Sequence, residues 1–278
     1  MYARDYFSYI KTPNLPEIKV LNASICDFKY IKHSHNDYAI GITTSGHQSF
    51  FCSGSYYKVH RGGIILFNPE ELHDGYNEDK AGFSYQMIYI PRIFFIDSLK
   101  EICNKSIRDF SFKQTVVFDN VVRNKLLSFI NAVNTRGKDS FIVNEFFVEM
   151  IETLFYKNSG SSLNEDITLK KDSLIIKATN LIDETLQQQI TLNDICRELN
   201  ISKYHFIRMF KKQVGMTPYQ YMLDSKIKLA CEDLETGVDI LDIVERYGFY
   251  DLSHFGKRFK RVFGLTPSEY RKYMVLKV

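Results

Sequence analysis

The sequence predicts an α+β protein of two domains, an N-terminal β-barrel with flanking helices and a C-terminal all-α domain. Three observations support this prediction. Short apolar runs separated by glycines fill the first third of the chain, segments with helical spacing follow them, and the small polar stretch 158–166 divides the two parts. The last third also contains an internal repeat, which predicts two helix-turn-helix units joined by a linker helix.

Residues 17 to about 95 are predicted to form the strands of the barrel. Val, Ile, Phe and Tyr occur there in short runs such as YAIGITTSG, HQSFFCSG and FSYQMIYI. Glycines from Gly46 to Gly82 separate the runs at the spacing expected of turns in an all-β barrel or sandwich. The aromatic-rich segment 1–16 precedes these runs, and we treat it as a candidate lid over the barrel.

Two helices are predicted to close the N-terminal domain, at 119–134 and 139–157. Apolar residues recur in them at helical spacing, and each begins with an Asp at the N-cap position. The apolar stripe of the second helix serves either the core or a dimer interface. We therefore divide the chain into a first domain at 1–157, a linker at 158–168 and a second domain at 169–278.

Composition indicates a globular cytoplasmic protein. The hydrophobic fraction is 45% and the charged fraction 25%. The five cysteines are odd in number and form no Cys-x-x-Cys pair, which argues against a disulfide framework or a structural zinc site. The first residues do not resemble a signal peptide, and no apolar run approaches the roughly 20 residues that span a bilayer, so we predict no membrane association.

An internal repeat with an offset of 49 residues marks the C-terminal domain. The segment HFIRMFKK (205–212) returns as HFGKRFKR (254–261), and GMTPYQY (215–221) returns as GLTPSEY (264–270). The N-cap candidates Ser202 and Asp251 share this offset. Asp194 and Asp242 are only 48 apart, so the second unit has one extra residue in its turn, which contains Gly248. The predicted units are 191–214 and 239–263.

Each repeat is predicted to present one aromatic face to the core and one polar face to DNA. Cations near one end of a helix neutralise phosphates, while residues of its first turns reach base edges. The predicted DNA-facing residues are Lys203, Tyr204, Ile207, Arg208, Lys211 and Lys212 in the first unit and Leu252, Ser253, Gly256, Lys257, Lys260 and Arg261 in the second. A helix over 217–235, about 28 Å long, would place the two faces in successive major grooves, about 34 Å apart.

Residues about 173–275 resemble the DNA-binding domain of the AraC/XylS family of transcription regulators. The resemblance depends chiefly on the second repeat, from Gly248-Phe249 to the final Tyr270-Arg271. It implies that Tyr204, Ile207 and Arg208 face bases in the first unit and that Leu252, Ser253, Gly256 and Lys257 do so in the second. Cys196 and Val244 stand where the family usually has Ala. Because Gly256 offers no side chain, we hypothesise that the second unit binds mainly through phosphates.

The N-terminal domain resembles the two halves of the cupin signature. These are His33-x-His35-x10-Gly46 and Gly63-x5-Pro69-x3-His73-x3-Asn77. Residues i and i+2 of a strand point to the same side, so His33 and His35 can both face a barrel interior, where His73 could join them. Metal-binding cupins add a Glu, which is missing after His35, and the spacing from Pro69 to His73 is one residue short. The three histidines therefore bind a divalent metal, line a small-molecule pocket or are purely structural.

The family resemblance implies a cupin-like barrel that binds an effector. The candidate lining residues are His33, His35, Tyr38, His73, Tyr85 and Gln86. We expect no cofactor and no metal, with a metal held by the three histidines as the alternative.

The function that we predict is sequence-specific transcription regulation, with activation as the expected sign, by a homodimer that responds to a small molecule. The resemblance implies double-stranded DNA as one partner and, for an activator, RNA polymerase as another. One alternative is a metal-dependent cupin enzyme with an accessory DNA-binding domain, although the sequence shows no phosphate loop and no nucleophile motif. A nonspecific DNA-binding protein is the other. Residues 169–278 carry 18 Lys and Arg against 14 Asp and Glu, and this net charge of +4 is low for such a protein.

Overall fold

The computed structural model describes residues 4–13, 15–78, 82–103, 107–135, 140–158, 173–188 and 191–274. The chain divides into two compact units, the first made mainly of residues up to 164 and the second spanning 165–271. The predicted linker, 158–168, lies almost entirely outside the described residues, as does the predicted N-cap at position 139. Among the described helices, none has the length and apolar character that crossing a bilayer requires.

The first unit contains two antiparallel sheets. The strands are β1 (Tyr6–Thr12), β2 (Leu15–Ile25), β3 (Tyr30–His33), β4 (Asp37–Ser45), β5 (His47–Cys52), β6 (Ser55–His60), β7 (Ile64–Phe67), β8 (His73–Gly75), β9 (Phe83–Pro91) and β10 (Val116–Val117). One sheet has the order β1-β2-β9-β4-β7-β10 and the other has the order β3-β8-β5-β6. This arrangement confirms the predicted N-terminal β domain.

The prediction that residues 1–16 form a lid is wrong for Tyr6–Thr12, because these residues form β1. This strand pairs with β2 in antiparallel register, with Tyr6 opposite Ser24 and Ile10 opposite Val20. The Asp5 carboxylate adds a further tie, since it accepts hydrogen bonds from the N–H groups of Cys26, Asp27 and Phe28 at 2.7–3.3 Å. Sheet pairing thus uses the backbone groups that a movable lid would leave to solvent.

Three helices cover one face of the larger sheet. They are α1 (Arg92–Cys103), α2 (Asn120–Asn134) and α3 (Ser140–Asn158). The predicted N-cap of α2 is confirmed, because the Asp119 side chain accepts from the N–H groups of Val121 and Val122. Helix α1 replaces the end of the predicted strand region, since β9 ends at Pro91.

The two-residue period of the strands decides which side chains meet the helices. On β4 and β9 the even-numbered residues, such as Ile40 and Ile88, belong to the core that α1, α2 and α3 share with the sheet. The odd-numbered residues, such as Ala39 and Met87, lie on the opposite face and line a cavity between the two sheets. One sheet therefore supports a helical layer on one side and a cavity on the other.

The second unit is helical throughout its described residues. Its helices are α4 (Ser173–Glu184), α5 (Leu192–Glu198), α6 (Lys203–Val214), α7 (Pro218–Thr236), α8 (Ile240–Arg246), α9 (Leu252–Phe263) and α10 (Pro267–Met274). Helices α5 and α6 lie within the predicted unit 191–214, α8 and α9 lie within the predicted unit 239–263, and α7 is the predicted linker helix. Glycines at the left-handed positions 215, 237 and 264, with φ of 82°, 92° and 79°, end α6, α7 and α9.

Candidate nucleic-acid interface and histidine cavity

The first helix-turn-helix unit consists of α5, a short turn and α6. Asn200 adopts a left-handed conformation, with φ of 50°, and reverses the chain after α5. The Ile201 N–H then donates to the Cys196 carbonyl at 3.0 Å, and the Ser202 hydroxyl caps α6 by accepting from the His205 N–H. These local bonds fix the angle at which α6 leaves the turn.

The second unit, α8 and α9, repeats this turn with one addition. Gly248, with φ of 61°, occupies the position of Asn200, and the Phe249 N–H donates to the Val244 carbonyl at 3.0 Å. The two units therefore still align at Phe249, which corresponds to Ile201 of the first unit. The extra residue is Tyr250, which precedes the cap Asp251. The Tyr250 side chain is 90% exposed. The turn thus accommodates the inserted residue at its surface, two residues after Gly248.

The aromatic faces of α6 and α9 are buried, as predicted. Phe206, Phe210, Phe255 and Phe259 are fully buried, and each pair within a helix packs edge to face, with ring centroids 5.5 and 5.6 Å apart. Val244, where the family usually has Ala, is only half-buried, so its extra volume extends partly toward solvent.

The opposite faces of these helices are open to solvent. In α6, Lys203, Arg208, Lys211 and Lys212 are exposed and Ile207 is half-buried, while the Tyr204 side chain lies outside the described residues. In α9 the exposed set is Leu252, Ser253, Lys257, Lys260 and Arg261, with Gly256 half-buried among them. The sequence repeat thus corresponds to two similar helices, each with a buried aromatic stripe on one face and exposed cations on the other.

Arg258 and His254 of α9 differ from these exposed residues. Both are half-buried, and within the described part of the chain Arg258 Nε and His254 Nδ1 have no hydrogen-bond partner. Burial lowers the pKa of the Arg258 guanidinium, and the Asp224 carboxylate partly opposes that shift. Arg258 therefore lies on the inner side of α9, and it was not among the predicted DNA-facing residues.

Polar contacts fasten helix α7 to α4 near one end and to the second helix-turn-helix unit near the other. At one end Tyr221 donates its hydroxyl to Asp183 of α4 at 2.9 Å. Toward the other end Asp233 accepts from Tyr247 and pairs with Arg246 of α8, both at 2.8 Å. Burial, and then the neighbouring Asp233, raise the pKa of Tyr247 to about 12, so its hydroxyl remains a donor at neutral pH. Hydrogen bonds thus hold helix α7 near both of its ends.

The cavity of the first unit has a volume of about 350 Å³, part of it open to solvent. Four of the six predicted residues line it, namely His33, His35, His73 and Tyr85. The lining also contains Tyr30, Ala39, Gln48, Phe67, Asp74, Gly75, Met87 and Tyr89, which the sequence prediction missed. The missed Met87 and Tyr89 are two and four residues beyond Tyr85 on β9, so strand parity could have found them.

Tyr38 and Gln86 need correction, since neither lies in this lining. Each has even parity on its strand and therefore points to the helical side of the sheet. Tyr38 is fully buried against Phe95, with ring centroids 4.3 Å apart, and donates to the Phe110 carbonyl. The Gln86 amide donates to Asn22 Oδ1 at 2.7 Å.

The three histidines come together at the cavity wall. His33 at the end of β3 lies opposite His73 of β8 in the sheet register, and His35 follows in the connection to β4. Each offers a ring nitrogen, and these nitrogens all lie within 4.8 Å of one another. His33 and His73 are buried and His35 is half-buried. Such a cluster can hold a metal ion or present hydrogen-bonding groups to a ligand.

Two tyrosines supply polar groups beside the histidines. The hydroxyls of Tyr30 and Tyr85 are hydrogen-bonded to each other at 2.6 Å. Burial raises the pKa of both hydroxyls well above the ordinary value, so both stay protonated. The pair can therefore donate one hydrogen bond toward a bound molecule while keeping the other between its members.

Comparison with known proteins agrees with both sites. The model for an AraC-like ligand binding domain matches residues 17–146, and the model for a helix-turn-helix domain matches residues 195–273. The HTH-type transcriptional regulator YbfI of Bacillus subtilis is 30% identical over 226 residues, which are 81% of each chain. This chain belongs to the AraC family of transcription regulators. It accordingly pairs an effector-binding domain with a helix-turn-helix DNA-binding domain.

Other family members match one domain or the fold alone. The HTH-type transcriptional activator AarP of Providencia stuartii is 32% identical over 117 residues, 42% of this chain and 87% of that protein. Crystalline ToxT from Vibrio cholerae covers 93% of this chain and 98% of its own, with a TM-score of 0.58 and 17% identity. The ToxT likeness supports the same two-domain AraC fold. The relatives and family models are those of transcription regulators, which settles the choice between regulator and enzyme.

Proposed function

We propose that this AraC-family regulator recognises a specific operator with α6 and α9, each lying in a major groove. The observation that supports this proposal is the duplicated exposed cationic face on two capped helices, α6 and α9. In the first unit Arg208 and the first turn of α6 read bases. In the second unit Lys257, Lys260 and Arg261 contact phosphates around Gly256, so that the two units contribute unequally to specificity.

In vitro selection from randomised duplex DNA with the full chain tests operator recognition. We expect one enriched site that the chain binds at least about 10³-fold more tightly than a scrambled duplex in fluorescence anisotropy at fixed salt. An Arg208→Ala variant should relax the preference at one or two base pairs. Equal affinity for selected and scrambled duplexes would show that the chain binds DNA by charge alone.

We further propose that the chain activates transcription by contacting RNA polymerase. The partial match to a protein named as a transcriptional activator supports this sign of regulation. Run-off transcription from a template that carries the selected site upstream of a weak promoter should rise when the chain is added. A fall, with the site occupied, would make the protein a repressor.

A homodimer is the assembly that we propose, with α3 in its interface. Ile142, Val148 and Tyr156 of this helix are 45%, 41% and 58% exposed, although the same helix contributes Met150 and Leu154 to the core. Light scattering should give twice the 32.6 kDa of one chain. Val148→Glu should shift that mass toward the monomer, whereas Val121→Glu, an exposed valine on α2, serves as the matched control.

The cavity between the sheets is the proposed effector site. Its lining combines apolar side chains with convergent polar groups, namely the three histidines, Gln48 and the Tyr30–Tyr85 pair, which suits a small polar molecule. A thermal-shift screen of sugars, amino acids and small aromatic or organic acids should find a compound that stabilises the first unit. At 100 times its Kd such a compound adds about 2.7 kcal/mol to the free energy of unfolding. A hit that stabilises Gln48→Met and Tyr85→Phe as much as the unaltered chain binds elsewhere.

A further inference from the structure

We propose that His33, His35 and His73 bind a divalent transition-metal ion, whose open coordination positions face the cavity and take an anionic oxygen of the effector. The proposal rests on the proposed function to the extent that this cavity is the effector site. The starting observation is the convergence of three imidazole nitrogens within 4.8 Å of one another, from two paired strands and the connection that follows β3. Among the residues that the structure describes, this is the group whose geometry fits a metal ion.

The hydrogen bonds of two histidines prepare them for coordination. His33 Nδ1 lies 2.6 Å from the Ile31 carbonyl oxygen, and His73 Nδ1 lies 2.8 Å from the Glu71 carbonyl oxygen. A carbonyl oxygen only accepts, so each Nδ1 carries the proton and each Nε2 carries the lone pair. A histidine that ligates a metal typically donates its other ring N–H in just this way, which orients the ring.

Packing holds the rings in place as well. His73 stacks on Phe67 with ring centroids 3.9 Å apart and an interplanar angle of 11°. The centroids of the three imidazoles are 4.6, 4.8 and 5.1 Å apart. In a tetrahedral site with zinc–nitrogen bonds of about 2.1 Å the nitrogens lie roughly 3.4 Å apart. The remaining closure is about 1.4 Å at most, and half-buried His35 has the room to make it.

The ligand type selects the ion. Imidazole suits zinc, iron, cobalt, nickel and copper, whereas calcium and magnesium require oxygen ligands. Asp74 lies in the cavity lining, but its Oδ1 accepts from the Phe51 N–H at 2.8 Å and it is not part of the close cluster. Three neutral imidazoles leave the ion its full +2 charge and at least one open position.

That charge defines the class of effector. A carboxylate or similar oxyanion would ligate the ion and accept a hydrogen bond from the protonated Tyr30–Tyr85 pair. A neutral molecule would gain much less from the same site. The effector site therefore selects small acids over neutral compounds of the same size.

Cobalt binding tests the proposal, because cobalt(II) in such a site absorbs visible light. The full chain, without a histidine tag and stripped of metal, is titrated with CoCl₂ and then with sodium azide as the anionic probe. We expect one Co²⁺ per chain, and absorption bands that shift when azide occupies the open position. His35→Ala should weaken Co²⁺ binding at least about 100-fold, more than the loss of an outer-shell partner does.

Two further variants keep the result interpretable. His73→Gln removes a ligand with little change of volume, and His47→Ala alters an exposed histidine outside the cluster. The first should lose the absorption bands and the second should keep them, while circular dichroism reports whether each is folded. Tight Co²⁺ binding by both ligand variants, or none by the unaltered chain, overturns the metal site, and bands that azide leaves unchanged overturn the open position. Because the titration contains only Co²⁺ and azide, its failure is distinguishable from failure of the effector-site proposal, which the thermal-shift screen tests separately.

Discussion

Gly256 presents a direct test of how the second recognition helix is built. It occupies an interior position of α9, where glycine is less favourable than alanine by about 1 kcal/mol. A Cβ added there would meet one atom, Pro267 Cδ, at 4.0 Å, which is an ordinary contact. Packing therefore does not require the glycine, and Gly256→Ala should stabilise the second unit.

The expected gain is about 0.5–1 kcal/mol in the free energy of unfolding, since alanine also restricts the unfolded chain. Gly237 supplies a matched control, because an added Cβ there meets nothing within 4 Å, yet its φ is +92°. Space is available at both positions and only the backbone conformation differs. Gly237→Ala should therefore destabilise the unit by about 1 kcal/mol.

Urea denaturation of the full chain, followed by far-ultraviolet circular dichroism, measures both variants. For a unit of this size 1 kcal/mol corresponds to a Tm shift of about 4 °C, so thermal scans should show a rise for Gly256→Ala and a fall for Gly237→Ala. If Gly256→Ala lowers stability, or the two variants shift it in the same direction, the assignment of Gly256 to an unstrained and unobstructed helical position is wrong.

Three other predictions concern the DNA-binding domain. Base substitutions in the operator half that faces α9 should each cost less than about 1 kcal/mol, against about 1–3 kcal/mol in the half that faces α6; equal costs would refute the phosphate-binding role of α9. Lys260→Gln should weaken binding to all sequences alike and reduce the slope of log K against log salt by about 0.9, as anisotropy at several salt concentrations can measure. Tyr247→Phe should remove a hydrogen bond to Asp233 worth roughly 1 kcal/mol in urea denaturation. Folding raises the pKa of Tyr247 from near 10 to about 12, so the protonated hydroxyl stabilises the native state below pH 10. This stabilisation is lost as the pH rises to 12. The free energy of unfolding of Tyr247→Phe should therefore decline less over that range than that of the unaltered chain.

The alternation of side chains along a strand shows that the predicted cavity residues could not all be correct. Tyr85 and Gln86 are adjacent on one strand, so they cannot both face the same cavity. The alternation shows that one of the two must be excluded, but it does not show which face lines the cavity. Both sides of the sheet are covered, one by helices and one by the second sheet, and both faces therefore contain aromatic and polar residues. The tertiary structure identifies the two faces: Asn134 of α2 contacts Asn22 on the helical face, and the histidines of β3 and β8 lie on the cavity face.

The sequence by itself determined the helix-turn-helix pair. Caps such as Ser202 and Asp251, the left-handed Gly215 and Gly264, and the 49-residue repeat are local features, and short-range hydrogen bonds suffice to realise them. The tertiary structure alone decided what depends on long-range pairing. The register of β3 against β8 brings His33 to His73, and the pairing of β1 with β2 turns a predicted lid into a strand. Such contacts join residues far apart in the chain, so no local pattern encodes them and only the folded sheet determines which side chains meet.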